Sequence, residues 1–127
     1  MCGPAAKLPL MKGQSFLTRM GFALAGMAIV WRREQSFRIQ CAIGLGALAL
    51  TATLRPGWMW AALVILTIGL VLASELVNGA LEYLIDRVHP EIHDEIKFAK
   101  DAAAGAVLLT SLAALGVGAA MLASVLL

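Results

Sequence analysis

Apolar and charged residues segregate along this chain on the scale of whole helices. No Asp, Glu, Lys or Arg occurs from Ile39 to Leu54, from Pro56 to Ser74, or from Ala102 to Leu127. A helix crosses a bilayer with roughly 20 mostly apolar residues. The second and third stretches meet that length. The first is shorter, but Phe37 at one end and a snorkelling Arg55 at the other extend it. The pattern predicts spans over 37–54, 58–86 and 100–125, with Pro56-Gly57 as a tight turn between the first two. The second is too long to lie wholly in hydrocarbon, so its last turns emerge into water. The third is rich in Ala and Gly (Ala102, Ala103, Ala104, Gly105, Ala106, Gly116, Gly118), and small residues let helices approach closely in lipid.

Ahead of these spans, residues 14–34 show a helical period. At about 100° per residue, Phe16, Leu17, Met20, Leu24, Met27 and Trp31 fall on one stripe, with Arg19, Arg32 and Arg33 elsewhere. Phe22, Ile29 and Val30 lie off it. An interfacial helix on the cytoplasmic leaflet would look like this, and so would an ordinary amphipathic helix packed on the bundle. Residues 1–13, with Pro4, Pro9, Gly3 and Gly13, read as a flexible tail. The expected fold is an all-α membrane protein of one domain, 1–127, with an N-terminal amphipathic surface helix and three transmembrane helices. Three helices enclose little space, which predicts an oligomer.

Composition agrees. Of 127 residues, 61% are apolar and 14% charged, and mean hydropathy is +0.85. A soluble domain of this size lacks the interior to hide so much apolar surface. The N-terminus has no long apolar core of the signal-peptide kind. Cys2 and Cys41 stand in unrelated settings and suggest neither a disulfide framework nor a zinc site. Net charge is +2, no nucleic acid partner is expected, and placement matters more than size. Arg55 is alone in the turn between the first two spans. Lys7, Lys12, Arg19, Arg32, Arg33 and Arg38 stand before or at the first span, and Arg87, Lys97 and Lys100 lie between the second and third. The positive-inside rule then puts the N-terminus and the 87–101 loop in the cytoplasm. Trp58 and Trp60 would mark the far interface.

The chemistry is concentrated in Glu75-Leu76-Val77-Asn78-Gly79-Ala80-Leu81-Glu82-Tyr83-Leu84-Ile85-Asp86. Glu75, Asn78, Glu82 and Asp86 stand at i, i+3, i+7 and i+11. On a helix they lie within about 80° of one another, along ~16 Å of one face. The stripe follows an uncharged run of 19 residues, so Glu75 sits at or just under the membrane surface. An acid at that depth is costly and marks a functional site by default. Each residue also has an ordinary reading: Asp86 beside Arg87 as a solvated helix end, Glu82 as a partner of a surface-helix arginine, Asn78 as an interhelical anchor. Glu75, with apolar neighbours on nearly every side, is the hardest to explain that way.

Two further clusters flank this stripe. In Glu34-Gln35-Ser36-Phe37-Arg38, Glu34 is the only acid before Glu75. Two carboxylates from different helices would suit Mg²⁺ carrying phosphate groups, since that cation takes oxygen ligands and keeps several waters. Glu34 beside Arg32 and Arg33 also reads as a plain surface charge. In His89-Pro90-Glu91-Ile92-His93 and Lys97-Phe98-Ala99-Lys100-Asp101, Lys100 can meet phosphate charge at the membrane surface. The histidines read as loop residues. No GxxxxGK[ST] loop, HRD or DFG element, zinc pattern or Gly-rich dinucleotide fingerprint occurs, so any ATP site must be built another way.

Together these clusters resemble the prokaryotic diacylglycerol kinase family, which includes the undecaprenol kinases. The resemblance runs from about Phe22 to Leu109. It is most specific over Ala73-Ser74-Glu75-Leu76-Val77-Asn78-Gly79-Ala80-Leu81-Glu82, then Asp86, then Ala99-Lys100-Asp101, with support from Phe22-Ala23-Leu24-Ala25-Gly26 and Glu34…Phe37-Arg38. It implies a homotrimer in the bacterial inner membrane, three spans and a surface helix per chain, and active sites shared between subunits at the cytoplasmic face. It implies Glu75 as the base for a lipid hydroxyl and Glu34 and Glu82 as Mg²⁺–ATP carboxylates. Asn78, Asp86, Lys100 and Asp101 would position nucleotide and phosphate. This fits phosphoryl transfer, which asks mainly for positioning and charge neutralisation.

Departures touch the nucleotide and the acceptor. Phe22 and Ser15 stand where the diacylglycerol branch often has Tyr and Arg, leaving Arg19 as a substitute contact. Ser36 and Gln40 stand where the undecaprenol branch usually has Asn and His, yet His89-Pro90-Glu91 and the Lys100-to-Gly105 segment look more like that branch. Diacylglycerol to phosphatidic acid is the leading expectation, with undecaprenol as alternative acceptor. Outside the class stands a small oligomeric proton- or cation-coupled transporter, which would want its carboxylate near mid-membrane and have no use for Lys100-Asp101.

Overall fold

The computed structural model describes residues 13–88 and 93–127, and all the regular structure there is helical. The 1–12 part of the expected tail, with Cys2, and the loop residues His89 to Ile92 lie outside the described residues. The helices are α1 (Phe16–Arg33), α2 (Gln35–Leu54), α3 (Trp58–Val88) and α4 (Asp94–Leu126). The last three are long and apolar enough to cross a membrane, which makes this a multi-pass membrane protein.

Each boundary has a local cause. Ser15 caps α1, its hydroxyl accepting the Thr18 N–H at 3.2 Å. Glu34 breaks the helix in an extended conformation (φ −110°, ψ 107°), so one residue joins α1 to α2. The Arg38 guanidinium donates to the carbonyls of Trp31 and Arg32 at 2.5 and 3.1 Å, satisfying acceptors that the end of α1 leaves open. Arg55, at φ 51°, caps α2 in the left-handed region, and Gly57 at φ 109° completes the turn into α3. A side chain at Gly57 would be strained there.

The start of α4 differs from the sequence expectation. Apolarity begins near residue 100, but the helix begins at Asp94, where His93 caps it by accepting the Glu95 N–H at 3.3 Å. Asp94 and Glu95 lie in the first turn, where the helix dipole favours acids. A helix need not begin where hydrocarbon begins. Likewise α3, at 31 residues, is about 46 Å long against ~30 Å of hydrocarbon, and its excess carries the polar stripe into the interface.

α3 is the centre of the bundle, packed along both α2 and α4. Its buried residues are Val64, Thr67, Val71, Glu75 and Gly79, spaced three or four apart, so Glu75 belongs to the packing face and not to a solvated one. On α2, Gly44 admits α3 closely: a Cβ there would meet Ile68 at 3.1 Å. Polar groups tie α2 to α4, with Gln40 Nε2 donating to Ser111 Oγ at 3.4 Å and Thr51 Oγ1 to the Met121 sulfur at 3.8 Å. α1 has no buried residue, and Phe16, Leu17, Leu24 and also the off-stripe Phe22 and Ile29 are exposed within the single chain. Its side-chain contacts with α2 and α3 gather at its C-terminal end.

Candidate active site

The site stands where the α1–α2 junction crosses α3, just past the apolar part of α3. Glu75 is 4% exposed, a carboxyl group on a helix face otherwise used for packing. Ser36, in the first turn of α2, donates its hydroxyl to Glu75 Oε2 at 3.1 Å. Oε1 takes no hydrogen bond among the described residues. A buried carboxylate needs such a partner, because losing hydration is costly.

One turn further along α3, Gly79 is buried beneath the junction. A Cβ there would lie 3.5 Å from Glu34 Cγ and 3.5 Å from Val30 Cγ1. Glu34 therefore crosses α3 at Gly79, between the levels of Glu75 and Glu82. The family resemblance implies Glu34 and Glu82 as the cation carboxylates; in the structure Glu34, at the α1–α2 junction, crosses α3 at Gly79, and Glu82 lies three residues further along α3. Neither makes an ion pair among the described residues. No set of three His, Cys, Asp or Glu side chains gathers among the described residues. Mg²⁺ is commonly bound by one or two carboxylates plus substrate phosphates, and carboxylates such as Glu34 and Glu82 are oxygen donors of that type.

Asn78 adds an unsatisfied group: its side-chain Oδ1 is buried with no hydrogen-bond partner among the described residues. An orphaned buried acceptor costs about 1–3 kcal/mol, and one beside two carboxylates is suited to a hydroxyl or metal-held water. Beyond it, Asp86 Oδ1 meets Lys100 Nζ at 3.6 Å, joining the end of α3 to the start of α4. Asp101 pairs with Lys97 at 2.7 Å. Of the expected nucleotide- and phosphate-positioning residues, Asp86, Lys100 and Asp101 thus gather at this end of α3 and α4, Asp86 and Asp101 exposed and Lys100 partly so, whereas Asn78 lies deeper. Arg19 is not brought to this cluster within one chain. It lies 15 residues before Glu34 in sequence, about 22 Å along a helix.

Three features of the site are absent from the sequence reading. Ser36 appears there only as a departure from a pattern, yet it is the hydrogen-bond partner of Glu75. Gly79 is the crossing point. Arg33 lies over the Tyr83 ring, 4.1 Å from its centroid, and ties α1 to the polar end of α3. A Gly in the middle of a helix was the one available signal, since it costs helix stability without a packing reason.

Comparison with known proteins bears on the same residues. Residues 21–122 match the family model for prokaryotic diacylglycerol kinase. A Synechocystis protein named diacylglycerol kinase is 36% identical over 125 residues, covering 94% of this chain and 71% of its own length. Diacylglycerol kinases of Escherichia coli (30% identical, 74% of this chain, 77% of the relative) and Pseudomonas aeruginosa (35%, 71% and 76%) are also similar.

Proposed function

This chain belongs to the prokaryotic diacylglycerol kinase family, a family of membrane-embedded lipid kinases, and on that premise we propose that it moves the γ-phosphate of ATP to a membrane lipid alcohol, diacylglycerol, giving phosphatidic acid. The observation that carries the reading is Glu75: a buried carboxyl group at the interfacial end of an apolar helix, one oxygen held by Ser36 and the other without a partner among the described residues. The relatives' shared name supports diacylglycerol as acceptor.

In the proposed reaction the lipid hydroxyl oxygen forms a bond to the γ-phosphorus as the bond from that phosphorus to the β-phosphate oxygen breaks. ADP leaves, and the hydroxyl proton passes to Glu75 Oε1. A base within hydrogen-bond reach contributes typically 10²–10⁴-fold. Glu34 and Glu82 would hold Mg²⁺, which neutralises phosphate charge when bound. Asn78 orients a group between them, and Lys100, with Asp86 and Asp101 beside it, receives phosphate at the surface. The distribution of Lys and Arg supports a cytoplasmic site and N-terminus. The exposed apolar faces of α1 and α4 support assembly with further copies in the lipid, as a trimer with shared sites to which Arg19 of one copy contributes.

The test is ATP turnover by purified protein in mixed micelles, with diacylglycerol and a polyprenol supplied separately. Turnover on diacylglycerol well above polyprenol is expected. The reverse assigns undecaprenol, and none on either lipid from folded, oligomeric protein removes the kinase reading.

A further inference from the structure

We propose that Ser36 is a positioning residue for the reaction, its hydroxyl fixing Glu75 so that Oε1 alone faces the lipid hydroxyl; the inference rests on the role proposed for Glu75. The hydroxyls of the spanning helices mostly turn back on their own backbone. Thr51, Thr53, Thr67, Thr110 and Ser124 each donate to a carbonyl three or four residues earlier. Ser36 does not. It reaches across 39 positions of sequence to a carboxylate.

The reason lies in the junction. The carbonyl four residues before Ser36 belongs to Arg32, and it already accepts the Arg38 guanidinium. Phe37, next in sequence, is 4% exposed and packs edge-on against Trp31, with ring centroids 6.3 Å apart. The first turn of α2 is thereby locked on both sides of Ser36. Glu75 Oε2 is held by this hydroxyl, and the second oxygen keeps its lone pairs for an incoming proton. A hydrogen bond to a charged group is worth enough to alter a rate about tenfold or more.

The experiment uses the full-length protein in micelles with diacylglycerol and ATP, comparing wild type, Ser36→Ala, Ser36→Thr and Glu75→Gln. Ser36→Ala should lower kcat about tenfold with KM for ATP within about twofold, and Ser36→Thr should restore most of kcat. An infrared difference spectrum, wild type minus Glu75→Gln, isolates the Glu75 carboxyl band. That band should move in Ser36→Ala and stay in place in Ser36→Thr. The positioning role is overturned if Ser36→Ala keeps wild-type kcat while Glu75→Gln is inert, or if Thr is as impaired as Ala. A fall in kcat accompanied by an equal loss of ATP affinity and thermal stability also overturns it, since that is what a broken helix contact would do. Turnover by Glu75→Gln is a different failure: it removes the proposed base, and the positioning inference with it.

Discussion

The guanidinium carbon of Arg33 lies 4.1 Å from the centre of the Tyr83 ring, joining the last turn of α1 to the interfacial end of α3. The two residues flank the carboxylates in sequence, Arg33 beside Glu34 and Tyr83 beside Glu82. The contact therefore holds the α1–α2 junction, which carries Glu34, to the part of α3 that carries Glu82. Exposed cation–π contacts are worth about 0.5–1 kcal/mol. Tyr83→Ala and Arg33→Ala should each raise KM for Mg²⁺–ATP severalfold, and the double variant should be little worse than either single one. Additive losses in that cycle would show that the two side chains act independently.

Gly79 provides a graded test of the helix crossing. A Cβ there would meet Glu34 and Val30 at 3.5 Å, an ordinary contact distance. Gly79→Ala should therefore keep activity and gain up to about 1 kcal/mol of helix stability. Gly79→Leu must displace Glu34, and should raise the Mg²⁺ concentration needed for half-maximal turnover about tenfold or more. Equal activity of the Ala and Leu proteins would show that Glu34 is not positioned by this crossing.

Glu75 and Glu82 stand at i and i+7 of one helix and have separable roles. Glu75→Gln keeps the shape and an acceptor for Ser36 but removes the base. Turnover should fall by roughly 10²–10⁴-fold with ATP binding retained, as measured with a fluorescent nucleotide analogue. Glu82→Gln should instead shift the Mg²⁺ titration to higher concentration. An unchanged titration would remove Glu82 from the cation site.

Lys100 and Asp86 form a half-exposed pair at 3.6 Å. Such pairs contribute about 0–1 kcal/mol, so neither Lys100→Met nor Asp86→Asn should move the thermal midpoint by more than a few degrees. If Lys100 meets phosphate, Lys100→Met should raise KM for ATP about tenfold or more, well beyond what loss of the pair explains. A KM within twofold of wild type would confine Lys100 to the ion pair.

Spans and turns were legible in the sequence because their causes are local. A charge in hydrocarbon is so costly that its absence from Pro56 to Ser74 alone marks a spanning helix, and Pro56-Gly57 makes a turn wherever it stands. The stripe of Glu75, Asn78, Glu82 and Asp86 was legible for the same reason, since helical period places residues on a face without help from other helices. The start of α4 was less so. Hydropathy marks where lipid begins, whereas Asp94 is set by the His93 cap and an acidic first turn.

What each face meets was decided by the tertiary structure. That Glu75 is bonded by Ser36, that Glu34 passes over Gly79 and that Arg33 covers Tyr83 all depend on how the α1–α2 junction crosses α3. That crossing is set by the one-residue break at Glu34, the Arg38 cap and the close approach at Gly44 acting together. Periodicity determines direction around one helix axis. The distance and angle between two axes come from packing of residues far apart in sequence, and only the folded chain brings those residues together.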